Sequence, residues 1–249
     1  SGATARSQST LTCKWTYLAH QGGWQHDFLA AVGLPDMLEK GGLPAEATPV
    51  GAAVGRLTEE AATHLGLDAA VLVASGLIDA FAGALGAIGS DAAGEEIEDH
   101  LVLIAGTSSC VMGFSRTPRP APAVWGPYYG AALPDRWIAE GGQSATGALL
   151  DHVVRSHGAV GEPDAAIHRR IAERIGALRQ AEGERFAADL HVLPDFHGNR
   201  TPFADPAPRG VASGLALDAS FDGLCRLYWR SAVAIALGVR QVLEHLEAH

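Results

Sequence analysis

The chain has 249 residues and a net charge of −10, with 47% apolar and 18% charged residues. This composition indicates a globular protein of one large or two small domains rather than a disordered chain. The sequence has no cluster of Lys and Arg, which argues against nucleic acid as a partner, because phosphate backbones are bound by such clusters.

The three cysteines, Cys13, Cys110 and Cys225, are widely spaced and odd in number, so neither a disulfide framework nor a zinc knuckle is expected. His197 lacks a second His or Cys at ligand spacing, and no residue is assigned to a metal. The polar N-terminal stretch is not a secretory signal, and no apolar run is long enough to span a membrane. A cytoplasmic location is therefore the expectation.

The N-terminal part, residues 1–50, is predicted to be largely irregular, with one or two short helices between Trp24 and Leu38. Lys14 in this part is either an ordinary surface lysine or a cation that contacts a ligand. The next predicted helix is Thr58 to Leu65, because its threonine suits the N-cap and Gly66 suits the helix end.

A short apolar strand, Val71 to Ala74, is predicted to be buried on both faces. Asp79 then begins a helix that contains Gly83, Gly86 and Gly89, and this bare face favours the close approach of another backbone or a ligand. Two roles are open for Asp79. It is either a charge at the helix start, which the helix dipole favours, or a general base.

A second feature is the turn Gly106-Thr107-Ser108-Ser109, which follows a predicted central strand from His100 to Ala105. Backbone amides and hydroxyl groups in a tight turn can hold an anion, although any hairpin can use the same residues. A strand from Cys110 to Phe114 follows, so the turn joins two strands. This excludes a Walker-type loop, which leads into a helix.

The rest of the chain alternates strand and helix. A strand at Arg136 to Ala139 is followed by a loop, Glu140 to Ser144, and a helix, Ala145 to Ser156, which Ser144 could cap. An amphipathic helix is expected from Asp164 to Gly183, as an insertion or a cover. The longest helix, Ser220 to Glu247, carries an apolar stripe typical of a core helix.

Several segments form a combination that is far more specific than any one of them. They are Gly-x-x-Asp-Ala-x-x-Gly around Asp79, Ala-Gly-Thr-Ser-Ser-Cys at 105–110, Glu-Gly-Gly-Gln-Ser-Ala-Thr-Gly at 140–147, Asp-Phe-His-Gly-Asn-Arg-Thr-Pro at 195–202, and Thr12 to Leu18. Together they resemble the FGGY carbohydrate kinases, most closely the ribulokinase branch, which phosphorylates pentuloses. The resemblance runs along nearly the whole chain.

The resemblance implies an α/β architecture, the actin-like, ribonuclease-H-like ATPase fold with two domains. Residues 1–95 would be the C-terminal part of the sugar-binding domain, and residues 96–249 a truncated nucleotide-binding domain. The acidic segment from Asp91 to Asp99 fits this boundary. Both ends of the family pattern are absent, so the chain is expected to be the middle of a longer enzyme, with little or no kinase activity by itself.

The resemblance also implies site residues for the sugar. Asp79 would be the general base that accepts the proton of the attacking hydroxyl. Lys14 and Glu140 would contact the sugar, Lys14 as a donor to a ring or carbonyl oxygen and Glu140 as an acceptor from hydroxyl groups.

For ATP, the resemblance implies that Thr107, Ser108 and the Gly106 backbone hold the β- and γ-phosphates, while Mg²⁺ offsets the developing charge. Gly147 would approach the nucleotide at the start of its helix.

D-Ribulose is the expected substrate, and L-ribulose, xylulose, ribitol and glycerol are the alternatives. Two other interpretations of the function are an actin-like sugar-binding protein that transfers no phosphate, and a non-catalytic interaction module. Exposed apolar surface could also drive formation of a homodimer.

Overall fold

The computed structural model describes residues 2–89 and 95–249, and the chain divides into two compact units. The first unit comprises Ser1–Val102, Met112–Pro120 and Trp125–Glu140. The second unit comprises Leu103–Val111, Ala121–Val124 and Gly141–His249. The boundary predicted between residues 95 and 96 refers to the two domains of the family rather than to these compact units. It therefore stays a prediction. Residues 91–94 of the acidic segment lie outside the described residues.

The first unit contains short helices and two small antiparallel sheets. Its helices are α1 (Gln8–Trp15), α2 (His26–Ala31), α3 (Met37–Lys40), α4 (Glu59–Leu65) and α5 (Asp79–Ile88). Its small sheets pair β1 (Tyr17–Leu18) with β2 (Gly23–Trp24), and β3 (Ala53–Arg56) with β4 (Leu72–Ala74). Short 3-10 helices span Ala19–Gln21 and Glu95–Asp99.

Helix α4 has the predicted ends. The Thr58 hydroxyl accepts a hydrogen bond from the amide of Ala61, and Gly66 closes the helix in the left-handed conformation. Helix α1, in contrast, occupies a segment that was expected to be irregular. Its start is capped by Ser7, and its Leu11 side chain is buried. Tertiary burial therefore stabilises a segment whose composition favours a helix only weakly.

Strand β4 is less buried than predicted. Leu72 is 63% exposed, and Val71, just before the strand, is also exposed. The prediction of burial on both faces was wrong, because β4 forms a two-stranded ribbon with β3 and pairs with no other described strand. An apolar run alone does not reveal how many neighbours a strand has.

A four-stranded sheet has the order β5-β6-β8-β7. Its strands are β5 (Leu101–Ala105), β6 (Ser109–Ser115), β7 (Trp125–Tyr129) and β8 (Trp137–Gln143). The predicted strand–turn–strand at residues 101–115 is confirmed. The prediction of a central position for β5 was wrong, because β5 lies at the edge of the sheet and exposes Leu101 and Leu103.

Strand β8 extends beyond the predicted strand and includes Glu140 to Gln143, which was expected to be a loop. The glycine pair within it permits close contacts. A β-carbon at Gly142 would lie 2.1 Å from the Ser109 carbonyl oxygen, and one at Gly141 would lie 2.8 Å from a methyl carbon of Val242. The glycines therefore allow close packing in the second unit rather than a turn.

Three helices build the second unit. They are α6 (Gly147–His157), α7 (Ala165–Glu182) and α8 (Phe221–Glu247), and the small antiparallel pair β9 (His191–Leu193) and β10 (Val211–Ser213) accompanies them. A 3-10 helix spans Gly183–Arg185. Asp164 caps α7 and Ser220 caps α8, and both helices have nearly the predicted bounds.

The core of the second unit joins these three helices. Its buried members include Leu149 and Val154 of α6, Ile171 and Ile175 of α7, and Leu224 of α8. Helix α7 thus contributes to the core. Within the described part of the chain, no helix has the length and apolar content that crossing a bilayer requires.

Candidate active site

Asp79 is the first residue of α5, and its side chain is exposed. Its Oδ1 accepts a hydrogen bond of 2.8 Å from the backbone amide of Ala80. A carboxylate at this end of a helix also interacts favourably with the helix dipole. The position therefore has the features of a helix-start charge, and the same carboxylate is open to a small ligand.

Lys14 and Glu140 bring opposite charges to the surroundings of one thiol. Lys14 is exposed in the last turn of α1, and Glu140 is half-buried in β8. Burial raises the pKa of the Cys13 thiol to about 12; the Lys14 charge lowers this pKa, and the Glu140 charge raises it. The charges of both predicted sugar contacts thus act on the Cys13 thiol, within the first unit.

The turn between β5 and β6 engages the carbonyl oxygens of Gly106, Thr107 and Ser108. Those of Gly106 and Thr107 accept hydrogen bonds of 2.9–3.1 Å from the amides at the start of α6, and the Ser108 carbonyl accepts one from the Gly106 amide. The side chains of Thr107 and Ser108 are exposed. The Gly106 amide already donates within the turn. The Thr107 and Ser108 hydroxyl groups are therefore better placed than this amide to donate to an anion.

Gly147 is the first residue of α6 and packs directly on this turn. Its amide donates a 2.9 Å hydrogen bond to the Gly106 carbonyl oxygen. A β-carbon at position 147 would lie 2.7 Å from the same oxygen, closer than real β-carbons come. The turn thus gives a structural reason for glycine at this position, and the approach of Gly147 to a nucleotide stays a prediction.

Thr146 lies within the 140–147 motif, but no role in the site is predicted for it from the sequence. It is 5% exposed, and its hydroxyl donates a 2.9 Å hydrogen bond to the Gly106 carbonyl oxygen. Thr146, rather than the predicted Ser144, precedes α6, and its side chain does not cap the helix. The amides that such a cap would bind are already engaged, since Ala148 donates to the Thr107 carbonyl oxygen and Leu149 to the Thr146 carbonyl oxygen.

A protein metal site is not evident in residues 2–89 and 95–249, where no group of three or more His, Cys, Asp or Glu side chains could hold an ion. Mg²⁺ in kinase sites is usually held by one or two carboxylates together with the phosphates of the nucleotide.

Comparison with known proteins identifies the class. The C-terminal domain of the FGGY family of carbohydrate kinases matches residues 101–249. The chain therefore belongs to the FGGY family of carbohydrate kinases, and the resemblance seen in its motifs is confirmed.

Individual relatives extend the match beyond this domain. The chain is 42% identical over 265 residues to the human FGGY carbohydrate kinase domain-containing protein, covering 99% of this chain and 48% of the relative. It is 31% identical over 282 residues to a D-ribulokinase of Saccharomyces cerevisiae, covering 98% of this chain and 39% of that one. The chain thus spans about half the length, or less, of these curated relatives.

A solved structure supports the predicted fold. The xylulose kinase from Rhodospirillum rubrum matches 99% of this chain and 45% of its own, with a TM-score of 0.67 and 25% sequence identity. The α/β, actin-like fold of the sugar kinases is therefore confirmed for this chain.

Proposed function

We propose that the intact protein transfers the γ-phosphoryl group of ATP to a hydroxyl group of a pentulose, with D-ribulose as the first candidate. Membership of the family and the name of the yeast relative support this. The observation that carries the proposal is an exposed carboxylate, Asp79, in the same unit as Lys14 and Glu140. One unit then has a proton acceptor and two opposite charges suited to a sugar.

Asp79 is proposed as the general base. An ionised carboxylate can take the proton of a sugar hydroxyl while the oxygen attacks the γ-phosphorus of ATP. Its exposure leaves room for the sugar, and its bond to the Ala80 amide fixes the direction of one carboxylate oxygen.

Lys14 and Glu140 are proposed to orient the sugar. An ammonium group donates to a carbonyl or ring oxygen, and a carboxylate accepts from hydroxyl groups, so a polyhydroxy ketone can satisfy both. The neutral thiol of Cys13 lies within the electrostatic reach of both charges. Orientation by two partners lowers the entropy cost of bringing the reacting hydroxyl to the phosphorus.

The turn of the second unit is proposed to bind the β- and γ-phosphates. Carbonyl oxygens would repel phosphate, and those of this turn are engaged by α6 or within the turn itself. The Thr107 and Ser108 hydroxyls are left as donors, and Thr146 and Gly147 hold the turn in place. Mg²⁺ bound with the nucleotide would offset negative charge on the phosphates.

Several sugars and polyols are candidates for the acceptor of the phosphoryl group. The solved relative named above is a xylulose kinase, and its similarity is compatible with xylulose as well as ribulose. L-Ribulose, ribitol and glycerol are further candidates. A homodimer and a cytoplasmic location remain predictions from the sequence.

The test is a panel of these five compounds, with D-ribulose and D-xylulose among them, offered to the intact protein in a coupled assay of ADP release. We expect the highest kcat/KM with D-ribulose. A higher kcat/KM for another compound would change the assigned substrate and would leave the assignment as a carbohydrate kinase intact. ATP binding without turnover on any of them would instead support a sugar- or nucleotide-binding module.

A further inference from the structure

The loop that leads into Asp79 is tied to the start of helix α1 by two serine side chains. The amide of Ile78, the residue before Asp79, donates a 3.2 Å hydrogen bond to the Ser9 hydroxyl oxygen. Ser9 is 0% exposed. Two residues earlier in the loop, the Gly76 carbonyl oxygen accepts a hydrogen bond from the Ser7 hydroxyl.

The start of α1 is itself held in place. The Ser7 hydroxyl oxygen accepts a 3.1 Å hydrogen bond from the Ser9 amide, as the N-cap of the helix. The Thr48 carbonyl oxygen accepts hydrogen bonds from the Gln8 amide at 2.8 Å and from the Ser75 hydroxyl at 3.4 Å. The helix start and the loop before Asp79 therefore share one connected set of hydrogen bonds.

The other end of the same helix carries Lys14. Lys14 follows Ser9 by five residues, which corresponds to roughly 7.5 Å along a helix axis. One short helix thus holds the loop before Asp79 at its first turn and presents Lys14 at its last turn. A rigid helix between them would fix the spacing of the proposed base and the proposed sugar contact.

We propose that Ser9 is a positioning residue for Asp79, which acts by holding Ile78 so that the carboxylate keeps its place relative to Lys14. This inference rests on the proposed function. Ile78 is the N-cap residue of α5, and its side chain makes no cap hydrogen bond. Loss of the Ser9 hydroxyl leaves the Ile78 amide without this partner and frees the start of α5 to shift.

The test is the Ser9→Ala variant of the intact enzyme, with Ser231→Ala as its matched control. Ser231 is also 0% exposed, and its hydroxyl makes one hydrogen bond to a backbone carbonyl, in α8. Ser9→Ala should lower the unfolding temperature, whereas Ser231→Ala should change it little, because its lost hydrogen bond lies within one helix and alanine favours the helix. We expect kcat to fall at least about tenfold only in Ser9→Ala, with KM for ATP unchanged, because small misplacements near the reacting atoms are costly.

A double variant separates positioning from general weakening of the fold. If Ser9 acts through Asp79, Ser9→Ala should reduce kcat much less in an Asp79→Glu background, where the carboxylate is already displaced. An equal fold-loss in both backgrounds would overturn the inference, as would kcat values for Ser9→Ala that match Ser231→Ala. Should Ser9→Ala fail to fold, Ser9→Cys decides. Its sulfur is a larger and weaker acceptor than the hydroxyl oxygen, and an unchanged kcat would again overturn the inference.

The failure of this inference can be told apart from failure of the proposed function. Near-normal turnover of Asp79→Asn would remove the base assignment and the Ser9 role with it. Loss of turnover in Asp79→Asn together with a normal Ser9→Ala would remove only the Ser9 role.

Discussion

A β-carbon on Gly147 would lie 2.7 Å from the carbonyl oxygen of Gly106, in the turn proposed to bind phosphate. The Gly147→Ala variant must therefore move either the turn or the start of α6. We expect an overpacking cost of about 1–3 kcal/mol in the free energy of unfolding. We also expect weaker ATP binding, because Thr107 and Ser108 move with the turn. Thermal unfolding and isothermal titration of the intact protein with ATP measure the two effects.

The matched control is Gly176→Ala in the middle of α7, where a β-carbon would meet nothing within 4 Å. This change should leave ATP affinity unaltered and raise helix stability by up to about 1 kcal/mol. A Gly147→Ala variant that unfolds and binds ATP like the unchanged protein would refute the role given to this contact.

Asp79→Asn keeps the shape of the side chain and one acceptor oxygen for the Ala80 amide but removes the basic carboxylate. We expect sugar-dependent ADP release to fall by roughly 10²–10⁴-fold, the usual contribution of a general base, while ATP binding persists. The lost charge–dipole interaction at the start of α5 costs only about 0.3–1 kcal/mol, so the fold should survive.

Asp68→Asn is the control for this substitution. Asp68 is exposed in the same unit, and its Oδ1 accepts a 2.7 Å hydrogen bond from a nearby backbone amide, much as Asp79 does. Turnover should be normal in Asp68→Asn. Comparable activity of the two variants would show that the proton is accepted elsewhere.

The parts of the fold that were predictable from sequence are those with local causes. Thr58, Asp164 and Ser220 each accept a hydrogen bond from an amide of the helix that follows, and a cap of this kind is visible in a few consecutive residues. Helix α1 has such a cap at Ser7, but its stability also depends on burial of Leu11, which the sequence does not show.

The candidate site divides in the same way. The motifs indicated Asp79 and the turn at residues 106–108 as site residues. The structure places Asp79 at the start of a helix and this turn between two strands. The reason for glycine at position 142 is the approach of the Ser109 carbonyl oxygen, 33 residues earlier in the chain. A contact so distant in sequence has no local signal, and a glycine pair alone favours a turn.

Cys13 offers a test of the two predicted sugar contacts, Lys14 and Glu140, that does not depend on catalysis. Burial is the main cause of its raised pKa of about 12, and Lys14 and Glu140 shift the value in opposite directions. Below this pKa the thiolate fraction, and with it the alkylation rate, grows about tenfold per pH unit. At pH 9 we expect faster alkylation of Cys13 in Glu140→Gln, where the pKa is lower, and slower alkylation in Lys14→Met, where it is higher.

Peptide mass spectrometry after timed treatment with iodoacetamide resolves Cys13 from the other two cysteines. The exposed Glu46, which is not among the causes of the shift, supplies the control Glu46→Gln. Equal rates in all four proteins, or changes of the opposite sign, would show that Lys14 and Glu140 are not both close to Cys13.

The contact between α7 and α8 predicts a dependence of stability on acid. Arg174 binds Asp222 through two hydrogen bonds of 2.7 and 2.6 Å, and this pairing lowers the pKa of the Asp222 carboxyl below its ordinary value of 3.8. A carboxyl with a lowered folded-state pKa contributes stability above the unfolded pKa and loses it as the pH falls through the folded value. Arg174→Gln should therefore lower the unfolding temperature at pH 6, and the difference from the unchanged protein should shrink below pH 3.8.

Arg209→Gln is the control, since Arg209 donates to backbone carbonyls in its own loop. A gap between Arg174→Gln and the unchanged protein that stays constant from pH 6 to pH 3 would mean that the pair does not stabilise the folded state through the charge of Asp222.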